Sequence, residues 1–138
     1  MQTGELANTF IEALHALERG SIDQVDGIVA LFAADAVLSN AALRLAGEER
    51  RGTAQIRAFW ASYREALGTM YSEFHAVTIS EDTAGLFWTT RGIGEGETDE
   101  RTYDGATMLL FNSDGKIGRF HGYYDTAQLK REIAASKK

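Results

Sequence analysis

Asn40 in "LSNA" and Arg91 in "WTTRGIG" are the side chains best suited to chemistry, with the phenols Tyr103 and Tyr124 on neighbouring strand-like runs. An amide and a guanidinium offer hydrogen-bond donors to a carbonyl or epoxide oxygen, and a phenol offers a proton. Arginine would also grip an anionic or carbonyl-bearing group through its forked donors. Each has an ordinary alternative. Asn40 stands where asparagines satisfy the backbone of turns. Arg91 has Glu95, Glu97 and Asp104 as prospective partners at a rim, and the phenols serve equally well as internal hydrogen-bond donors. His15, His75 and His121 share no ligand spacing with one another or with acids, so no metal site is expected. The stretch "GIGEGETDE" joins two strands instead of opening a helix, and reads as a polar hairpin rather than a phosphate loop.

Charge and composition limit the partners. A net charge of -6 and a pI near 5.0 argue against nucleic acid. With no cysteine there are no disulfides, thiolate metal sites or cysteine nucleophile. No apolar run reaches the roughly 18 residues of a membrane span, and the N-terminus lacks a signal pattern, so a cytoplasmic protein off the membrane is expected. At 138 residues, with 44% hydrophobic and 25% charged, residues 1–138 read as one domain able to bury a core.

The first half of the chain reads mainly as helix. Leu6, Phe10, Ala13, Leu14 and Leu17 form one stripe on a first helix that Gly20 ends. Ser21 and Gln24 have the spacing of a capping box for a second helix, "IDQVDGIVALF", and "AVLSN" follows as a short strand. Thr53 is placed to cap a third helix with the aromatic face Ile56, Phe59, Trp60, Tyr63 and Leu67. After Gly68 four strand-like runs follow: "MYSEFHAVTIS", "TAGLFWTTRGIG", "RTYDGATMLLFN" and "KIGRFHGYYD". Their short connections predict an antiparallel meander. Asp125 and Gln128 would cap a terminal helix, "TAQLKREIAA". The class is α+β, a strongly curved antiparallel sheet closed by the helices into a cone.

Strand alternation assigns faces. On the last run Phe120, Gly122 and Tyr124 are more apolar than Arg119, His121, Tyr123 and Asp125, and belong inside. Tyr103, Gly105 and Thr107 would face in on the run before, with Asp104 outside. Phe87, Thr89, Arg91 and Ile93 would form the inward set of the second run.

The order helix, helix, "LFAADAVLSN", a "G-x-x-x-I-x-x-F" helix and a meander ending "DGKIGRFHGYYD" resembles the nuclear transport factor 2-like superfamily, and within it the SnoaL-like branch. The resemblance covers roughly the whole chain. It implies the cone fold, kinship to ketosteroid isomerase and limonene-1,2-epoxide hydrolase, and a homodimer through the outer sheet face; His75, Trp88, Met108, Leu110 and Tyr123 suit that contact. It also places Arg91 in the cavity. The ketosteroid isomerase base, phenol and buried acid fall at Asn40, Ala13 and Thr107, which supply none of those functions. Of the epoxide hydrolase set, Asn40 and Arg91 remain, but Leu38, Ile93 and Gly122 replace the tyrosine and both aspartates. SnoaL-like cyclases carry their acid at the same last-strand position, Gly122.

The expectation is therefore a small-molecule pocket protein. Its cone would be walled by Leu38, Trp60, Met70, Phe87, Ile93, Tyr103, Phe120, Gly122 and Tyr124 and punctuated by Asn40, Arg91 and Thr107. It would bind a hydrophobic, oxygen-bearing ligand. Any catalysis would be cofactor-free, an isomerisation, cyclisation or hydrolysis in which Arg91 and Asn40 polarise the oxygen and Tyr124 or Tyr103 donates a proton. Two alternatives remain open. One is a non-catalytic association or carrier module using the outer sheet face. The other is an enzyme that recruits Asp104 beside Arg91.

Overall fold

A computed structural model describes residues 2–126. Helix α1 (Thr3–Arg19) forms because Ala7, Phe10, Leu14 and Leu17 recur on one buried face, and Gly20 closes it by donating its N–H to the Ala16 carbonyl at 2.9 Å. Ser21 caps as expected, accepting from Asp23 N at 3.4 Å, but it opens only a 3₁₀ turn (Ile22–Gln24) that runs into the short α2 (Val25–Val29). The predicted second helix is too long. Phe32 already belongs to strand β1 (Phe32–Asn40), which starts earlier than "AVLSN".

Two elements are absent from the sequence reading, α3 (Ala41–Leu45) and β2 (Arg50–Arg51). α4 (Gly52–Leu67) begins one residue ahead of Thr53, so Thr53 is not its cap. Instead the Gln55 side chain reaches back to accept from Arg51 N at 2.8 Å. Gly68 ends this helix at φ 59, where a Cβ would run into the backbone of Ile93–Glu95.

The four predicted runs become β3 (Tyr71–Ile79), β4 (Thr83–Gly92), β5 (Arg101–Phe111) and β6 (Ile117–Tyr124). They pair as an antiparallel meander in one six-stranded sheet of order β2-β1-β6-β5-β4-β3. The sheet as a whole is mixed, because β1 lies parallel to β6. That pairing corrects the all-antiparallel expectation, and it is possible because the whole of β2–β5 intervenes between the two strands. The expected terminal helix lies outside the described residues.

The sheet curves around α1, α2 and α4. Phe10, Leu17, Ile28, Leu38, Ile56, Leu86, Leu109 and Ile117 are fully buried between the layers. Trp60 on α4 is the hub of the aromatic part of this core, with the rings of Phe59, Tyr63, Phe120, Phe10 and Phe32 at 5.0, 5.3, 5.6, 6.2 and 6.3 Å. Among the described residues no helix is long and apolar enough to cross a membrane.

Candidate functional site

The aromatic hub does not fill the cone. A cavity of about 170 Å³ remains between α1, α4 and the concave sheet face, walled by Phe10, Leu14, Phe59, Trp60, Phe74 and Phe120. Its size resembles the roughly 150 Å³ that admits benzene and falls below the 300 Å³ at which pockets for larger ligands begin. The Trp60 Nε1–H is buried, in a residue only 2% exposed, and meets no acceptor among the described residues. Such an orphan donor costs about 1–3 kcal/mol.

Polar groups gather at two ends of the cavity. At one, β1 ends on Asn40 beside Gly122 and Tyr124 of β6 and Thr107 of β5. The Asn40 Oδ1 accepts from Leu43 N at 2.8 Å, capping α3, so its amide NH₂ is left for the cavity. Asn40 thus both caps α3 and lines the cavity. The Thr107 hydroxyl accepts from Trp88 Nε1 at 2.9 Å, and the Tyr124 hydroxyl accepts from Ala42 N at 3.4 Å. Burial pushes the Tyr124 phenol above its usual 10.0, and the Ala42 bond offsets part of the rise. Tyr103 lies along the wall, edge-on to Trp88 at 5.8 Å and Tyr124 at 6.3 Å.

At the other end Tyr63, Ser72 and Thr90 line the cavity. Behind them lies Glu18, a carboxyl only 7% exposed. Tyr63 Oη and Ser72 Oγ each donate to Glu18 Oε2 at 2.7 Å, and Ser72 N donates to Oε1 at 2.9 Å. Three donors converging on two oxygens is the arrangement of a carboxylate. Burial, then the Glu18 charge, pushes the Tyr63 phenol well above 10.0. Ser72 Oγ and Thr90 Oγ1 are 3.0 Å apart.

Of the expected site, Asn40, Trp60, Tyr103, Thr107, Phe120, Gly122 and Tyr124 meet at the cavity. Leu38 and Met70 are buried but lie off it, Leu38 in the core and Met70 against Arg101 Nη2 at 3.8 Å. On β4 the expected facing is reversed. Leu86, Trp88 and Thr90 point in, while Phe87, Thr89 and Arg91 take the outer face. Arg91 pairs there with Glu73 (Nε to Oε1 3.4 Å), a partner not anticipated, because a guanidinium is far cheaper to hold at a wet face than in an aromatic cavity. Ile93 follows the end of β4 and does not reach the cavity either. Trp88 consequently leaves the proposed dimer face for the cavity. Asp104 also faces out, accepting from Thr89 Oγ1 at 2.6 Å, so it does not join Arg91 over the cavity. His121 is on the outer face as expected, yet only 8% exposed, with its ring 4.2 Å from that of Tyr123. Among the described residues no three His, Cys, Asp or Glu side chains cluster as metal ligands do.

The sequence reading missed Glu18, Ser72, Trp88 and Thr90. Glu18 had a visible signal, since it falls four residues after Leu14 on the apolar face of α1.

Comparison with known proteins agrees with this architecture. Among curated proteins no significant sequence match was found. A nuclear transport factor 2-like protein of unknown function from Burkholderia pseudomallei is similar in structure, with TM-score 0.77 and 17% identity over 95% of this chain and 96% of that one. SalBIII, an epoxide hydrolase/cyclase-like enzyme in pyran ring formation of the polyether salinomycin, gives TM-score 0.73 and 14% identity over 91% and 95%. A ketosteroid isomerase-like protein from Catenulispora acidiphila, solved with trimethylamine, gives 0.69 and 19% over 84% and 85%. At such identities these likenesses speak for the fold alone. The SnoaL-like domain family matches residues 10–120, most of the chain; the protein belongs to the SnoaL-like domain family, on a fold it shares with nuclear transport factor 2-like proteins.

Proposed function

We propose that the cone is a binding site for a small, hydrophobic, oxygen-bearing molecule of about one ring. The observation that carries this is the 170 Å³ cavity, aromatic on its walls and polar at two ends. Such a mixture orients a ligand by a few polar contacts while apolar burial supplies affinity.

Binding is better supported than a specific turnover. None of the described lining residues is an acid, a histidine or a cation. Glu18 stands behind the wall with its oxygens occupied by three donors. In any turnover Asn40, Thr107 and Tyr124 would polarise a carbonyl or epoxide oxygen. The position at which SnoaL-like cyclases place their acid is Gly122 here.

Ligand-induced thermal stabilisation tests the reading. A one-ring ketone at 100 times its Kd should stabilise the fold by about 2.7 kcal/mol. Gly122→Ile should abolish that shift. A Cβ at Gly122 has only ordinary contacts, the nearest Asn40 Cβ at 3.4 Å, so the added side chain enters the cavity. Arg91→Ala should leave the shift intact. An unchanged shift in Gly122→Ile would remove the cavity from the account.

A second reading concerns the outer face. Ala76, Phe87, Ala106 and Tyr123 form one transverse row across β3–β6, with Phe87 40% and Tyr123 50% exposed. Such a row favours self-association into a homodimer. Light scattering after size exclusion should give a dimer that Phe87→Glu converts to monomer; a monomeric wild type would end this reading.

A further inference from the structure

The two polar ends of the cavity differ in the direction of their hydrogen bonds, and the direction follows from counting protons. At the Glu18 end each hydroxyl has one proton to give. Tyr63 gives its proton to Glu18 Oε2, and Ser72 gives its own to the same oxygen. The 3.0 Å contact between Ser72 and Thr90 must then be donated by Thr90. All three hydroxyls are thereby turned toward the carboxylate, and what Tyr63 and Thr90 have left for the cavity is lone pairs. At the other end the count runs the opposite way. Thr107 receives the Trp88 N–H, Tyr124 receives the Ala42 N–H, and the Asn40 oxygen receives the Leu43 N–H. Each of these oxygens keeps a second lone pair, but the Thr107 and Tyr124 hydroxyl protons and the Asn40 NH₂ remain as well, so this end can donate where the Glu18 end cannot.

Resting on the proposed ligand site, we infer that the cavity is polarised and selects a single-ring molecule with a hydrogen-bond acceptor, such as a carbonyl oxygen, at the Asn40–Thr107–Tyr124 end and a hydroxyl donor at the Tyr63–Thr90 end. The register fixes the span. Thr107 pairs with Leu86, and Thr90 lies four residues further along β4, about 13 Å of strand. A para-substituted ring with one hydrogen bond at each end has a length of that order. A molecule with acceptors at both ends would set lone pair against lone pair over Glu18, and such unpaired polar groups discriminate strongly in a buried site.

The test is a titration of the full chain with three single-ring probes, followed by intrinsic tryptophan fluorescence from Trp60 and Trp88. 4-Hydroxyacetophenone carries the donor and the acceptor, 1,4-diacetylbenzene carries two acceptors, and 4-ethylphenol carries the donor alone. The expected result is at least tenfold tighter binding of 4-hydroxyacetophenone than of 1,4-diacetylbenzene, with 4-ethylphenol also weaker than the hydroxyketone. In Glu18→Gln the side-chain NH₂ turns one hydroxyl proton back toward the cavity, so the preference over 1,4-diacetylbenzene should shrink severalfold. The wild-type ranking stands even if that variant fails to fold. Equal affinity for the hydroxyketone and the diketone would overturn the polarity and leave the ligand site standing. No binding of any probe to the folded wild type would overturn the ligand site, and the polarity with it.

Discussion

The Glu18 end and the Asn40 end of the cavity use similar side chains to opposite effect. Tyr63, Ser72 and Thr90 at one end and Tyr124, Thr107 and Asn40 at the other are all neutral hydrogen-bonding groups. What separates them stands one layer back: a buried carboxylate behind the first set, and two backbone N–H groups and an indole behind the second. A hydroxyl has no fixed polarity of its own. It takes the polarity its outer neighbour leaves it, so the character of such a site is read from the supporting groups rather than from the lining alone.

The largest effect should come from removing the carboxylate without replacement. Glu18→Leu strands Tyr63 Oη, Ser72 Oγ and Ser72 N as buried donors, and at about 1–3 kcal/mol each the fold should lose roughly 3 kcal/mol or more in urea unfolding. A loss under 1 kcal/mol would mean that Glu18 does not organise that end. Next in size is Gly105→Ala on β5. A Cβ there collides with the Trp88 ring and lies 2.6 Å from the Tyr123 carbonyl, so about 1–3 kcal/mol of overpacking and a shifted Trp88 emission are expected. Unaltered emission would show that Trp88 does not lie across Gly105. Thr107→Val, which removes the acceptor of the Trp88 N–H, should cost about 1 kcal/mol and weaken binding of an acetyl-bearing probe.

The smallest effect lies away from the cavity. His121 is held below its usual 6.5, first by burial and then by Arg44 and Arg119. The unfolded chain therefore binds this proton more readily than the folded one. The stability contributed by the neutral ring is complete above about pH 6.5 and is lost as pH falls through the depressed folded value. Wild type should lose stability faster than His121→Asn on going from about pH 7.5 to 5. Parallel curves for the two proteins would remove His121 from the pH dependence.

Much of this arrangement was legible in the sequence, unevenly. On β6 the contrast between Phe120, Gly122, Tyr124 and Arg119, His121, Tyr123 is large, and alternation alone gives the facing. β4 offers apolar bulk in both registers. There, the cavity arginine that the resemblance implies and the uncharged set Ala84, Leu86, Trp88 and Thr90 point to opposite registers, and burial follows the uncharged set. Asn40 is a candidate by residue type and place, but its dual service as helix cap and cavity wall depends on α3, a five-residue helix too short for periodicity to reveal. The Glu18 network unites residues 54 and 45 positions apart, and no local pattern reports a contact of that kind. The parallel pairing of β1 with β6 is likewise a closure of distant segments.

A crystal structure of the complex with 4-hydroxyacetophenone tests the central claim most directly. The account predicts the ring against Trp60 and Phe120, its ketone oxygen within hydrogen-bond distance of Asn40 Nδ2 or Thr107 Oγ1, and its phenol donating to Tyr63 Oη or Thr90 Oγ1. The same molecule bound in reverse, ketone toward Glu18, would contradict it.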